Sequence, residues 1–400
     1  MDHNYAVEIR KNVLARMDLT REMTDEEIEE LIGEETSLYM KTERFSVREH
    51  VRIEQKVFNS LRKLDALQEL IDDPQVTEIM VNGPKHIFYE KEGVVKEWGE
   101  TFDSEEKMQD VIQQIVGRHN RVVNQSTPIV DTRLMDGSRV NIVLSPIAID
   151  GAAITIRKFP EHPFRMTELI QRGAISEDAA KLLQQLVRAR YSILVSGGTS
   201  SGKTTFLNAL SQYIPEDERV ITIEDSAELQ IQGVHNLVRL ETRNSNMEGV
   251  IPITIRDLIR SALRMRPDRI VVGECRGAEA FDMLQALNTG HDGGLSTAHG
   301  NSCRDILGRL EMMVLMGMEL PLSAIRQQIA SGIDVIVHLG RLPDKSRRVL
   351  EIVEIDGIRD GEIVLSSLYR LQECGENWNL CKVGELKHLG KLKMSGEQAW

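Results

Sequence analysis

The sequence predicts an α/β chain whose larger, C-terminal domain is built on a mostly parallel sheet and follows a smaller α/β domain and a polar helical segment. Three observations carry this prediction. Beyond residue 165, short apolar runs such as Ile193-Leu194-Val195, Val220-Ile221-Thr222-Ile223 and Ile270-Val271-Val272 alternate with helical segments, as buried parallel strands with helices packed on them do. The first of those runs opens into a glycine-rich loop that leads into a helix. Before residue 158, the pattern changes to short strands turned at Gly and Pro. A chain of 400 residues is too long for a single compact core, so two or more domains are expected.

Residues 1–60 read as helical and very polar. Thr24-Asp25-Glu26-Glu27 forms a capping box, and the acid-rich run over 25–35 reads as a solvated helix face. Residues 61–157 read as the small α/β domain. Leu67, Leu70 and Ile71 make a helical stripe that Asp72-Asp73-Pro74 ends. Strands over 76–83 and 86–90 turn at Gly83-Pro84, and a helix covers 105–116. A strand-rich stretch over 130–157 then turns at Asp136-Gly137 and near Asp150-Gly151. Two prolines, Pro160 and Pro163, mark a linker at 158–165. The remaining domain, 166–400, closes with a hairpin of 348–355 and 362–365 turning at Asp356-Gly357. Its last 25 residues are polar and aperiodic, and read as a loosely ordered tail.

Composition narrows the functional classes. With 62 acidic against 49 basic residues the net charge is −13, the opposite of the basic footprint of a protein that coats nucleic acid. Aromatic residues make up only 4%, so the cores must be aliphatic and stacking platforms for bases are scarce. No apolar run approaches the ~18 residues that span a bilayer, and Met1-Asp2-His3-Asn4-Tyr5 lacks the start of a signal peptide. A cytoplasmic address is therefore expected. The four cysteines (Cys275, Cys303, Cys374, Cys381) form neither a disulfide framework nor paired CxxC units, and read as reduced thiols.

The chemistry concentrates in the C-terminal domain. Gly197-Gly198-Thr199-Ser200-Ser201-Gly202-Lys203-Thr204, followed by Thr205, matches a phosphate-binding loop between a strand and a helix. There, backbone N–H groups and the helix N-terminus can cradle a polyphosphate. Lys203 reaches the terminal phosphates, and the Thr204 hydroxyl takes a place on Mg²⁺. About 20 residues on, a strand ends in Glu224-Asp225, and a later one ends in Gly273-Glu274. Carboxyl ends of strands face the ligand in open α/β sheets, so these acids can polarise water or hold Mg²⁺. Glu224 is read as the water activator. The second segment resembles a Walker B strand with Gly273 where an aspartate usually stands, which leaves the metal contact to Glu274 or Asp225. His291 and His299 bracket a glycine-rich stretch and are read as reporters of the γ-phosphate.

Together, Gly197–Thr204, Thr222-Ile223-Glu224-Asp225, the 266–274 stretch and the 291–299 stretch resemble the Walker A, Asp box, atypical Walker B and His box of the type II/type IV secretion ATPase superfamily. The closer resemblance is to its CpaF-type branch, the assembly ATPases of Flp (tight-adherence) pili. It extends over roughly residues 60–356, and this chain lacks the tetracysteine insertion of the type II secretion and pilus-extension branch. The resemblance implies a RecA-like P-loop NTPase domain after a PAS-like N-terminal domain. It also implies ATP and Mg²⁺ as cofactors, a homohexameric ring, and an inner-membrane pilus or secretion platform as partner, so that membrane contact is made through the partner only. It proposes arginines of the smaller domain for the γ-phosphate, and Arg133, Arg139 and Arg157 stand in the matching segments. Arg243 and Arg276 are weaker candidates, Arg276 being close enough to Glu274 to orient it instead. The implied activity is ATP hydrolysis coupled to mechanical work. Two further readings stay open: a DNA-transfer or other nucleic-acid motor on the same core, although no direct nucleic-acid contact is expected, and a nucleotide-gated scaffold.

Overall fold

A computed structural model describes residues 2–18, 20–40, 46–118, 121–159, 163–243, 251–374 and 377–396. The chain divides into two compact units, one running to Glu161 and one from His162 onward. Of the linker expected at 158–165, residues 160–162 lie outside the described residues.

The first unit begins with three helices, α1 (Asp2–Arg16), α2 (Asp25–Met40) and α3 (Val47–Arg62). They pack around a core of their own, with Ile9, Val13, Ile28, Ile32, Ile53 and Val57 all buried. The Thr24–Glu27 capping box is formed: Thr24 N donates to Glu27 Oε2 at 2.9 Å and Glu27 N to Thr24 Oγ1 at 3.3 Å. A short helix α4 (Gln68–Asp72) leads into β1 (Val76–Asn82), β2 (His86–Lys91), β3 (Val94–Glu97), α5 (Glu105–Gly117), β4 (Ile129–Arg133), β5 (Arg139–Val143) and β6 (Ala153–Arg157). The six strands form one antiparallel sheet in the order β3-β2-β1-β6-β5-β4. Along β1, β5 and β6, residues alternate between buried and more exposed, the pattern of a sheet with one face on a core.

The second unit carries α6 (Met166–Gln171), α7 (Glu177–Arg188), β7 (Ile193–Gly197), α8 (Lys203–Ser211), β8 (Arg219–Glu224), β9 (Asn236–Glu241), α9 (Ile255–Ala262), β10 (Arg269–Cys275), α10 (Glu279–Asn288), β11 (Leu295–His299), α11 (Asp305–Gly317), α12 (Leu322–Gly332), β12 (Val335–Arg341), β13 (Arg347–Arg359), β14 (Glu362–Cys374), β15 (Asn377–Lys382) and α13 (Gly390–Ser395). Its sheet has the order β15-β14-β13-β12-β7-β11-β10-β8-β9. Strands β9 to β12 run parallel through β7, and β13 to β15 add an antiparallel flap. Every residue of β7 is buried, as a central parallel strand covered on both faces requires. Two apolar cores lie on the sheet, one holding Val195, Leu207 and Leu210 and the other Leu194, Ile259 and Leu310. No helix among the described residues is long and apolar enough to cross a membrane.

Two expectations are corrected here. The C-terminal hairpin turns at Asp360-Gly361, both with positive φ (53° and 79°), the conformation of a two-residue hairpin turn; Arg359 pairs with Glu362, and Asp356-Gly357 falls in a register shift within the strands. The tail is not a loose end, because much of it is latched onto the second unit. Glu354, 1% exposed, accepts the backbone N–H groups of Lys387 and His388, both at 2.8 Å. Lys391 bridges Asp292 (2.9 Å) and Asp334 (2.7 Å), and Leu392 is buried in the core. A carboxylate holding two N–H donors and a doubly paired lysine fix a segment whose composition alone reads as disordered.

Candidate nucleotide site

The strand, loop and helix demanded by the glycine-rich motif are present as β7, residues 198–202 and α8. The loop is tightly closed on itself. A Cβ on Gly197 would stand 2.5 Å from Ser201 Oγ and 2.7 Å from Leu339 O, so only glycine fits there. Ser200 and Gly202 turn the chain with φ of 58° and 93°. Gly202 caps α8 without any side-chain hydrogen bond to the first turn, leaving those N–H groups for an anion. Lys203 lies along the loop, its Nζ donating to Gly197 O (3.2 Å) and Gly198 O (2.9 Å). Thr204 and Thr205 follow it in the first turn of α8, half-buried.

Parallel pairing brings the later segments to this point. His299, the last residue of β11, sits opposite Gly197, and its Nδ1 is 3.4 Å from Lys203 Nζ. An ammonium only donates, so Nδ1 is the accepting nitrogen and the ring proton sits on Nε2. That atom lies 2.8 Å from Glu274 Oε1, a close polar contact without the alignment of a hydrogen bond. The second Glu274 oxygen is held by Arg276 at 2.5 Å, and Arg276 also stands 4.0 Å from the exposed Asp225. Burial, then the neighbouring Lys203 charge, pushes the His299 pKa below its usual value against the pull of Glu274. The neutral tautomer is thus favoured. Glu274 owes its direction to a register shift between Val272 and Cys275, where an extra residue re-aims a side chain, and Thr297 Oγ1 ties the shift to β11 by donating to Gly273 O at 2.8 Å.

The glycine that replaces the usual aspartate also has a steric reason. A Cβ at Gly273 would stand 2.8 Å from Glu224 Cγ. Glu224 is 3% exposed, and its Oε2 accepts the N–H groups of Glu228 (2.7 Å) and Leu229 (2.8 Å). Its Oε1 is buried without a hydrogen-bond partner. Burial raises its pKa to about 7, against the lowering effect of the two N–H donors. A carboxyl poised near neutrality suits proton transfer.

These residues fit a nucleoside triphosphate with Mg²⁺. The uncapped helix start and Lys203 could take phosphate, while the Thr204 hydroxyl and the carboxylate of Asp225 or Glu274 could supply oxygens to Mg²⁺ when phosphates complete its shell. Among the described residues, no group of three or more His, Cys, Asp or Glu side chains is arranged to hold a metal by itself. Cys275 and Cys303 are buried free thiols whose pKa burial pushes upward.

Not every expected residue is brought to the loop. His291 precedes β11, whereas His299 ends it, and the strand, about 13 Å long at ~3.3 Å per residue, carries His299 to the loop and leaves His291 before its opposite end. The glycine segment beside His291 packs instead on Arg269, which donates to Gly293 O at 2.8 Å and pairs with Glu218 at 2.8 Å. A role for His291 at the phosphate is therefore withdrawn. Arg243 is tied to its own loop, its side chain donating to Ile251 O at 3.2 Å. In the first unit, Arg133 pairs with Arg139 and Arg139 with Arg157 across β4, β5 and β6. Directly opposed residues share a face, so the three arginines form one row. Glu78 continues it on β1. Sequence reading missed Arg347, whose Nε donates to Ser200 O at 2.9 Å. It lies 147 residues from that contact, and no local pattern announces it.

Comparison with known proteins supplies the family. The profile of type II/IV secretion system proteins matches residues 60–382. A putative conjugal transfer protein of Mycobacterium tuberculosis is 36% identical over 72% of this chain and 82% of its own length. The type IV secretion system protein VirB11 of Brucella suis is 32% identical over 69% of this chain and 84% of its own. The structure of the Legionella pneumophila ATPase DotB shares the fold, with a TM-score of 0.53 at 21% identity, over 72% of this chain and 79% of that one. The chain therefore belongs to the type II/IV secretion system protein family, the secretion and conjugation ATPases.

Proposed function

We propose that this chain hydrolyses ATP with Mg²⁺ as a homohexamer at the cytoplasmic face of the inner membrane, powering pilus assembly or protein secretion through a membrane platform, in the manner of the CpaF-type branch. The observation that carries this reading is the contact chain from Lys203 through His299 to Glu274. It joins the phosphate loop to a strand-end acid through a group able to sense charge on either side. In this reading Lys203 holds the β- and γ-phosphates, Glu274 orients the attacking water in place of Glu224, whose Oε2 is taken up by two backbone N–H groups, and Arg276 steadies Glu274. Thr204 and Asp225 face the metal, and Glu224 is a proton acceptor behind them. Residues 61–157 serve as the domain that closes on nucleotide, joined by 158–165 to the motor domain at 166–400. The row Arg133-Arg139-Arg157 on one face of the sheet supports that role, because a guanidinium forks onto phosphate oxygens. A guanidinium reaching the transition state contributes roughly 10³–10⁵ in rate.

A second reading, export of DNA, draws on the Mycobacterium tuberculosis relative, which is named for conjugal transfer. The acidic balance and scarce aromatics favour the first. The test is ATP turnover by the purified full chain across a range of protein concentrations, with Lys203→Ala as control. Turnover per subunit should rise as rings form and vanish in the variant. Flat turnover would remove the ring, and several-fold stimulation by single-stranded DNA would favour the second reading.

A further inference from the structure

Arg347 opens β13 and lies on the phosphate loop. Besides the bond to Ser200 O, its Cδ stands 3.4 Å from where a Cβ on Gly202 would be. The side chain is thus clipped to the two residues whose positive φ sets the curve of the loop. Its position is rigid, because β12 pairs Leu339 with the loop's own Gly197 and pairs Arg341 with Arg347. The bond to Ser200 engages one of five N–H donors. The side chain is exposed, and among the described residues no carboxylate lies within ion-pair distance of it. The neighbouring Arg348 differs, donating to Trp378 O at 2.8 Å and to Ser346 Oγ at 3.3 Å. Arg341 and Arg347 face each other with Lys345 in the turn between them, and Asp344 is turned to Ser346 N at 2.8 Å. Opposed cations on a hairpin are unfavourable in isolation. Beside a helix start built for anions, they are complementary to a polyphosphate.

We propose that Arg347 is a nucleotide-contacting residue supplied by the same subunit as the loop: tethered through Nε to Ser200, it donates from its terminal nitrogens to the phosphate chain of a bound nucleoside triphosphate. This rests on the ATP reading above. The class of ligand follows from the chemistry, since a permanently charged planar fork suits phosphate oxygens. Arg347 positions the phosphates and takes no part in bond breaking, so it acts on affinity more than on the chemical step.

The test is titration of the full chain, with Mg²⁺, by a fluorescent ATP analogue, comparing Arg347→Gln and Arg347→Lys with the wild type and with Lys203→Ala. Glutamine can still donate to Ser200 O but carries no charge; lysine keeps the charge. The expected result is a Kd raised roughly tenfold or more in Arg347→Gln, as loss of a charged hydrogen bond implies. Arg347→Lys should recover part of it, and the dependence of Kd on salt should flatten in the glutamine variant. Wild-type affinity in Arg347→Gln, with binding lost in Lys203→Ala, would overturn the proposal and leave the ATP reading standing. Absence of analogue binding by the wild type would overturn both.

Discussion

Replacing Gly273 by alanine isolates the steric relation between the two strand-end acids. Gly273 does not occupy the left-handed region, so alanine adds no backbone strain, and its Cβ would stand 2.8 Å from Glu224 Cγ, 3.3 Å from Oε2 and 3.5 Å from Cβ. The first distance is below contact, and Glu224 is fixed by two backbone N–H groups and burial. One extra methyl forced into such a site costs about 1–3 kcal/mol. For a unit of this size each kcal/mol lowers the melting temperature by about 2–4 °C, so Gly273→Ala should melt about 2–12 °C below wild type. In Glu224→Ala the Cγ and Oε2 are gone and the remaining Cβ–Cβ distance is ordinary. Adding Gly273→Ala to Glu224→Ala should therefore cost almost nothing, giving a coupling of about 1–3 kcal/mol in the double-mutant cycle. The assay is thermal unfolding without nucleotide, which would otherwise shift the midpoint by mass action. A Gly273→Ala protein that melts with wild type, or penalties that simply add, would refute the packing explanation for the missing aspartate.

Two further outcomes are expected. Because burial and Lys203 lower the His299 pKa, the folded state prefers the neutral ring, so its contribution is present above about pH 6.5 and is lost as pH falls through the lower folded value. The melting temperature of wild type should drop more steeply below pH 6.5 than that of His299→Gln, and parallel curves would contradict the assignment. Glu354→Ala removes the acceptor of two N–H groups, each such charged bond contributing about 1.5–3 kcal/mol. Limited proteolysis should then cut between β15 and α13 at least tenfold faster, and an unchanged rate would show that the latch does not hold the tail.

How much was legible depended on the range of the interaction. The phosphate loop is encoded within eight residues, and its strand and helix by their own periodicity, so β7 and α8 follow from local chemistry. Glu274 and His299 were reachable because strand-end residues in a parallel sheet share one edge. The same logic, applied to a five-residue strand, should have separated His291 from His299. The arginine row depends on strand register, and Arg347 on the return of a hairpin to a loop far back in the chain. No pattern in the sequence encodes either distance. The tail was misread because one buried carboxylate, Glu354, supplies order that composition does not display.

In the proposed function Glu274, linked to Lys203 through His299, acts on hydrolysis and not on binding. The direct measurement is nucleotide affinity beside single-turnover ATP hydrolysis in Glu274→Gln, which keeps the side chain's shape and removes its charge. A Kd within a few-fold of wild type and hydrolysis slowed by about 10²-fold or more are expected. Hydrolysis at the wild-type rate, or binding lost together with turnover, would contradict that role.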